Sequence, residues 1–166
     1  MWMRYILLNT ELGQIGLVRS SAGLRRIVLP KPGRGVVLQL VMEDFPGAIA
    51  DPTPFGDLPQ RLKRYLEGEQ VSFDDELDLI GASAFRRAVW EATRSIPYGE
   101  TQSYSWIARQ IGKPRALRAV GQALAKNPLP IMLPCHRVIG KNGRLTGFEG
   151  GLEIKKRLLD IEASSR

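Results

Sequence analysis

Cys135 and His136 are neighbours, and each is the only residue of its kind in the 166-residue chain. The thiolate is the nucleophilic form of cysteine, and an adjacent imidazole and the positive charge of Arg137 both favour it. Adjacent side chains seldom point the same way, so a bridging water is the simpler route for a proton from thiol to imidazole. A plainer account stands beside this one. A lone cysteine in a cytosolic protein is most often an inert small hydrophobe, and a histidine can simply cap a carbonyl. One cysteine excludes an intrachain disulfide, and one histidine beside it excludes a His/Cys-rich zinc site.

The segments around this pair must position it. Asn127-Pro128-Leu129-Pro130 ends a helix, and Ile131-Met132-Leu133 reads as a buried strand leading into Pro134-Cys135-His136-Arg137-Val138. Upstream, Ser83 is an N-cap candidate for a helix whose Phe85, Ala88, Val89 and Ala92 recur at helical spacing, stopped by Pro97-Tyr98-Gly99. A second helix is expected over residues 104–111 with Ser103 as its cap. Gly112-Lys113-Pro114 makes a turn, and a third helix runs from Arg115 to about Lys126. This is the helix-turn-helix layout.

On a wheel of ~100° per residue, Ala116, Ala119, Val120, Ala123 and Leu124 of the third helix form a core-facing stripe. Arg115, Arg118, Gln122 and Lys126 share a neighbouring arc. A solvated charged face would look the same. The small residues Ala119 and Gly121 beside the arc favour a second reading, in which the helix backbone approaches a nucleic-acid groove while Arg115 and Lys126 take phosphates.

Charge agrees with that placement. Residues 1–80 carry 9 basic and 11 acidic side chains, net −2, and residues 81–166 carry 15 and 6, net +9, which gives the overall +7. A polyanion, if one is bound, would meet the second half, and a merely soluble basic surface would give the same asymmetry. With 43% hydrophobic and 25% charged residues the chain is an ordinary globular protein. No apolar run approaches the ~18 residues of a membrane helix, and the start, MWMRYILLNTELG, has no signal-peptide pattern, so a cytoplasmic protein is expected.

The first half, residues 1–80, reads as a small α+β unit. Residues 5–9, 14–19 and 24–29 are β-rich runs separated by turn signals, an antiparallel meander. Helices are expected over residues 36–44 and 58–67, and the acidic residues 74–78 (DDELD) as a solvated linker or edge strand. Residues 81–166 form the second unit.

The second half resembles the O6-alkylguanine-DNA alkyltransferases, suicide proteins that repair alkylated guanine. The resemblance is carried by Ile96-Pro97-Tyr98-Gly99, Ser103-Tyr104, Arg118-Ala119-Val120-Gly121, Asn127-Pro128, Pro134-Cys135-His136-Arg137-Val138 and Gly150-Gly151, in that order. It implies an α+β fold, with a ribonuclease-H-like antiparallel-sheet domain followed by a helical domain with a winged helix-turn-helix.

The resemblance also implies a chemistry. Cys135 would accept the alkyl group from guanine O6, or from O4-alkylthymine. His136 would take the thiol proton through water, Glu162 would orient the imidazole, Asn127 would brace the cysteine segment, and Tyr104 would donate a hydrogen bond to the departing base. The partner would be double-stranded DNA bearing the lesion, its target base flipped out. Arg118 would fill the gap in the stack, with Ala119, Arg115, Gln122, Lys126 and Ser103 as further DNA contacts. Met132, Pro134, Tyr104, Phe148, Glu149 and Gly150 would form the pocket, where Phe148 and Glu149 depart from the usual tyrosine and small polar residue. No cofactor and no metal are implied, and the protein would be a monomer in solution, able to act cooperatively on DNA.

Glu162 can be placed without the family. With Ile154 at zero, Leu158 lies near 40°, Glu162 near 80° and Leu159 near 140° on the wheel, at ~100° per residue. An acid inside an apolar arc needs a partner. Lys155 falls at a similar angle, so an exposed, frayed terminus also fits. Two other classes stay open. A non-catalytic alkyltransferase-like damage sensor would lack the cysteine that this chain has, and a helix-turn-helix regulator with a structural cysteine would transfer no alkyl group.

Overall fold

The computed structural model describes residues 2–146 and 151–164. The chain divides into two compact units, Met1–Leu79 and Ile80–Arg166. Among the described residues no helix is long and apolar enough to cross a membrane.

In the first unit, β1 (Met3–Thr10), β2 (Gly13–Ser20) and β3 (Gly23–Val28) pair antiparallel, and a short β4 (Ile49–Ala50) adds to β1 in parallel, giving the order β3-β2-β1-β4. The meander read from the sequence is present, within a residue or two at each strand end. Helix α1 (Val36–Asp44) lies close on β2, because a Cβ on Gly16 would stand 3.0 Å from Val37 Cγ1 and 3.1 Å from Val41 Cγ2. Val18, Val28, Val37 and Val41 form the core of that contact. Helix α2 (Leu58–Leu66) buries Leu58, Leu62, Tyr65 and Leu66 and packs against β1.

The acidic segment after α2 is an edge bridge rather than a solvated linker. Leu77 pairs in parallel with Leu24, and Asp78 is buried, accepting a 2.5 Å hydrogen bond from Ser20 Oγ. Gly23 permits this approach: its φ is +152°, and a Cβ there would sit 2.6 Å from Glu76 O.

The second unit begins with α3 (Ala84–Arg94), capped by Ser83 Oγ accepting from Arg86 N at 3.2 Å. After β5 (Gln102–Ser103), α4 (Tyr104–Gln110) starts with Ser103 Oγ accepting from Trp106 N at 3.1 Å. A turn through Gly112, at φ +73°, leads to α5 (Leu117–Ala125). The third helix therefore starts later than the periodicity suggests. Arg115 lies in the turn, because Lys113-Pro114 closes its own backbone bond from Ala116 N to Lys113 O before the helix begins.

Helices α3, α4 and α5 pack on one another, with Val89, Trp90, Ile107, Ala108, Val120, Ala123 and Leu124 inside. Trp90 Nε1 donates to Ala123 O at 2.8 Å, satisfying a buried indole while joining α3 to α5. Residues 135–137 form one 3-10 turn, β6 (Val138–Ile139) pairs in parallel with β5, and α6 (Leu152–Ser164) comes last.

The run Ile131-Met132-Leu133 is buried as expected but is a turn, not a strand. Leu133 N bonds back to Leu129 O at 2.9 Å, and Ile131 has φ 79°. Local β propensity has been overridden by the loop that Asn127 closes.

Candidate active site

Helix α5 ends at Ala125, and the buried side chain of Asn127 organises the loop that leads to the cysteine. Its Nδ2 donates to Leu133 O at 2.7 Å and to Cys135 Sγ at 3.1 Å, while its Oδ1 accepts from Leu129 N at 2.8 Å. One amide thereby closes the loop and touches the sulfur that the loop presents. A β-branched residue at positive φ, Ile131, lies inside that loop; such conformations persist where surrounding contacts over-determine them. A hydrogen bond from an amide to sulfur favours the thiolate, the form that attacks carbon. Cys135 itself is buried, 7% exposed.

The next residue turns to a different element. His136 is fully buried, and its Nε2 lies 2.6 Å from Glu162 Oε2 on α6. Glu162 also accepts from Arg137 Nε at 2.9 Å, Arg137 Nη2 at 3.0 Å and Gly99 N at 3.0 Å. A carboxylate in that setting is an acceptor, which assigns the imidazole proton to Nε2 and leaves the lone pair on Nδ1. Burial pushes the proton affinity of His136 below the ordinary histidine value. Glu162 opposes that change, and Arg137 and Lys155 reinforce it. The imidazole is held neutral near pH 7, as a base must be.

Two side chains take parts that the sequence reading did not give them. The Arg137 guanidinium, read from the sequence only as a positive charge beside the thiol, is bound to Glu162 and to Ile96 O, the latter at 2.7 Å. A cation that interacts electrostatically with Cys135 is Lys155, a residue the motif pattern passed over. Lys155 is 1% exposed, and its Nζ donates to Val138 O at 2.8 Å and to Thr146 O at 3.3 Å. Burial lowers its proton affinity and the neighbouring sulfur opposes that shift. The signal was on the helical wheel, where Lys155 shares the angle of Glu162. Both belong to the inward face of α6 with Leu158, so the C-terminal segment is not a frayed, exposed terminus up to Ser164.

Tyr104, at the first position of α4, is half-buried and its hydroxyl is hydrogen-bonded to Thr146 Oγ1. Met132 and Pro134 are buried beside Cys135 in sequence. Phe148, Glu149 and Gly150 lie outside the described residues. On α5, Arg118 and Gln122 are exposed and one turn apart, Ala119 is half-buried, and Lys126 is exposed at the C-cap. Arg115 is exposed in the preceding turn, so the basic residues extend beyond the helix at both ends. Ser103 uses its hydroxyl to cap α4 and to bond Ser105 Oγ at 2.9 Å.

Comparison with known proteins covers nearly the whole chain. Residues 3–79 match the family model described as 6-O-methylguanine DNA methyltransferase, ribonuclease-like domain, and residues 84–164 match the DNA binding domain of the same family. A methylated-DNA–protein-cysteine methyltransferase of Mycolicibacterium paratuberculosis is 53% identical over 116 residues, 70% of each chain. One from Methanosarcina acetivorans is 39% identical over 165 residues, 98% of this chain and 99% of the relative. The crystal structure of Mycobacterium tuberculosis OGT in complex with DNA superposes with TM-score 0.83 at 40% identity, covering 98% of this chain and 94% of that one.

Proposed function

We propose that this chain, which belongs to the 6-O-methylguanine DNA methyltransferase family, repairs O6-alkylguanine in double-stranded DNA by moving the alkyl group irreversibly onto Cys135. One observation carries the assignment to these residues. Asn127 holds the sulfur at 3.1 Å while the adjacent His136 is buried against Glu162 at 2.6 Å, so one short turn joins an acceptor thiol to an oriented base.

The reaction balances with this chain's own groups. The Cys135 proton passes through a water to His136 Nδ1, and Glu162 steadies the imidazolium that results. The sulfur forms a bond to the alkyl carbon as the bond from that carbon to guanine O6 breaks. The guanine leaves with the electron pair, and Tyr104 donates a hydrogen bond to it. The product is a stable thioether, so each molecule reacts once. Phosphates are met by Arg115 and Lys126, the flipped base is replaced in the stack by Arg118, and the protein acts as a cytoplasmic monomer. O4-alkylthymine is a second substrate of the same chemistry.

The test is intact-protein and peptide mass spectrometry after incubation with excess O6-methylguanine duplex. The expected result is one added CH2 per molecule, on the peptide containing Cys135, with no further turnover. Repeated turnover, or a methyl group mapped elsewhere, overturns the assignment.

A further inference from the structure

We infer that Arg137 is a positioning residue of the transfer reaction: its guanidinium, forked across both oxygens of Glu162, fixes the carboxylate that orients His136 and fastens it to the turn after α3. The inference rests on the proposed alkyl transfer and adds to it a residue that needs no contact with the substrate.

Arg137 Nε reaches Glu162 Oε1 at 2.9 Å and Nη2 reaches Oε2 at 3.0 Å, a bidentate pair whose carboxylate is 2% exposed. Nη1 donates to Ile96 O at 2.7 Å, and the guanidinium carbon lies 5.8 Å from the centroid of the Tyr98 ring. Gly99 N, from the same turn, donates to Oε1 at 3.0 Å. Each carboxylate oxygen thus accepts two hydrogen bonds, Oε1 from Arg137 and Gly99, and Oε2 from His136 and Arg137. Four donors occupy the roughly four lone-pair sites that a carboxylate offers. Rotation of the carboxyl group breaks at least one of them, so Oε2 stays aimed at the imidazole.

A second consequence is electrostatic. Glu162 alone would draw a proton onto His136, and a guanidinium sharing the same carboxylate takes up part of that negative potential. Among the described residues, the charged groups bearing on His136 include Glu162 and Lys155 from α6 and Arg137 from its own turn. Helix α3, also packed against this turn, has Val89, Trp90 and Thr93 as its buried residues, none of them charged. Burial is the main cause of the neutral base, and Arg137 adds to it while keeping the imidazole's carboxylate partner pointed. Lysine can replace the charge but not the planar fork.

The experiment uses Arg137→Gln and Arg137→Lys. Two readouts are taken: single-turnover transfer from free O6-benzylguanine as a function of pH, and NMR titration of the imidazole, unambiguous because His136 is the sole histidine. In Arg137→Gln the histidine titration and the acidic limb of the rate profile should both move up by about one pH unit. That shift slows transfer about tenfold at a fixed pH on the limb, and loss of the fork lowers the alkaline plateau as well. Arg137→Lys should leave the titration near its wild-type position and lower the alkaline plateau. An unmoved titration in Arg137→Gln, or a wild-type plateau in Arg137→Lys, overturns the inference. If Arg137→Gln does not fold, the Arg137→Lys plateau decides it. Wild-type protein that transfers no alkyl group refutes the proposed function instead, and the His136 titration still reports on Arg137.

Discussion

Lys155 and Glu162 stand seven residues apart on the inward face of α6, and each is 1% exposed. One helix thereby delivers a cation towards Cys135 and a carboxylate to His136, the two consecutive residues of the 3-10 turn. Burying two opposite charges on one short helix is costly unless each finds partners. Here the ammonium has Val138 O and Thr146 O, and the carboxylate has His136, Arg137 and Gly99.

Lys155→Met keeps the length of the side chain and removes its donors and charge. Two carbonyls lose their partner, a cost of about 1–3 kcal/mol, and the sulfur loses its neighbouring cation. The expected outcome is a lower unfolding midpoint in urea together with slower alkylation of Cys135 by iodoacetamide at neutral pH. Wild-type iodoacetamide reactivity in a folded variant would refute the electrostatic half of this prediction.

Asn127→Asp leaves the loop nearly isosteric but replaces the donors on Leu133 O and Cys135 Sγ with acceptors. A carboxylate about as close to the sulfur as the present amide, which is 3.1 Å away, repels the thiolate. Transfer should slow at neutral pH by much more than in Asn127→Ser, which keeps a donor-capable group. Single-turnover rates on free O6-benzylguanine compare the two, and equal losses would show that only the loop shape matters.

The buried neutral imidazole makes stability depend on pH. Because the folded protein holds the His136 proton affinity below its ordinary value, the unfolded chain takes up the proton first as pH falls. Stability is therefore greatest above about pH 6.5 and decreases below it, by up to about 1.4 kcal/mol per pH unit for one group. Urea midpoints between about pH 7.5 and 5 should decline in the wild type, and His136→Gln should flatten the decline. An identical slope in both proteins would assign the effect to other groups.

Arg118→Ala separates base flipping from simple phosphate contact. If Arg118 fills the vacated stack, its loss forfeits compensation for an unstacking cost of a few kcal/mol. Repair of duplex DNA at saturating protein should then slow far more than reaction with free O6-benzylguanine. A phosphate-only role predicts full recovery at saturation, and equal losses on both substrates would also exclude the stacking role.

The three-stranded meander, most of the helices and the candidate acceptor thiol were legible in the order of residues. The alternation and turn signals of residues 3–28, the caps at Ser83 and Ser103, and the break after Lys126 are local properties, set by side-chain periodicity and backbone chemistry within a few residues. The Pro134–Val138 motif singled out Cys135 and His136 as candidates because rare, reactive residue types were adjacent.

Which partners those residues have depends on the folded chain. Asn127 and Cys135 meet through a loop that forces Ile131 to positive φ, against the strand that Ile131-Met132-Leu133 suggests. Arg137 could be read only as a positive charge until α6 placed Glu162 within reach of its fork, 25 residues away in sequence. Lys155 looked like a flaw in an apolar arc, because a wheel records direction and not the carbonyls waiting there. Periodicity fixes which face a residue occupies; only the packing of distant elements fixes what that face meets, and buried charges take their meaning from that meeting.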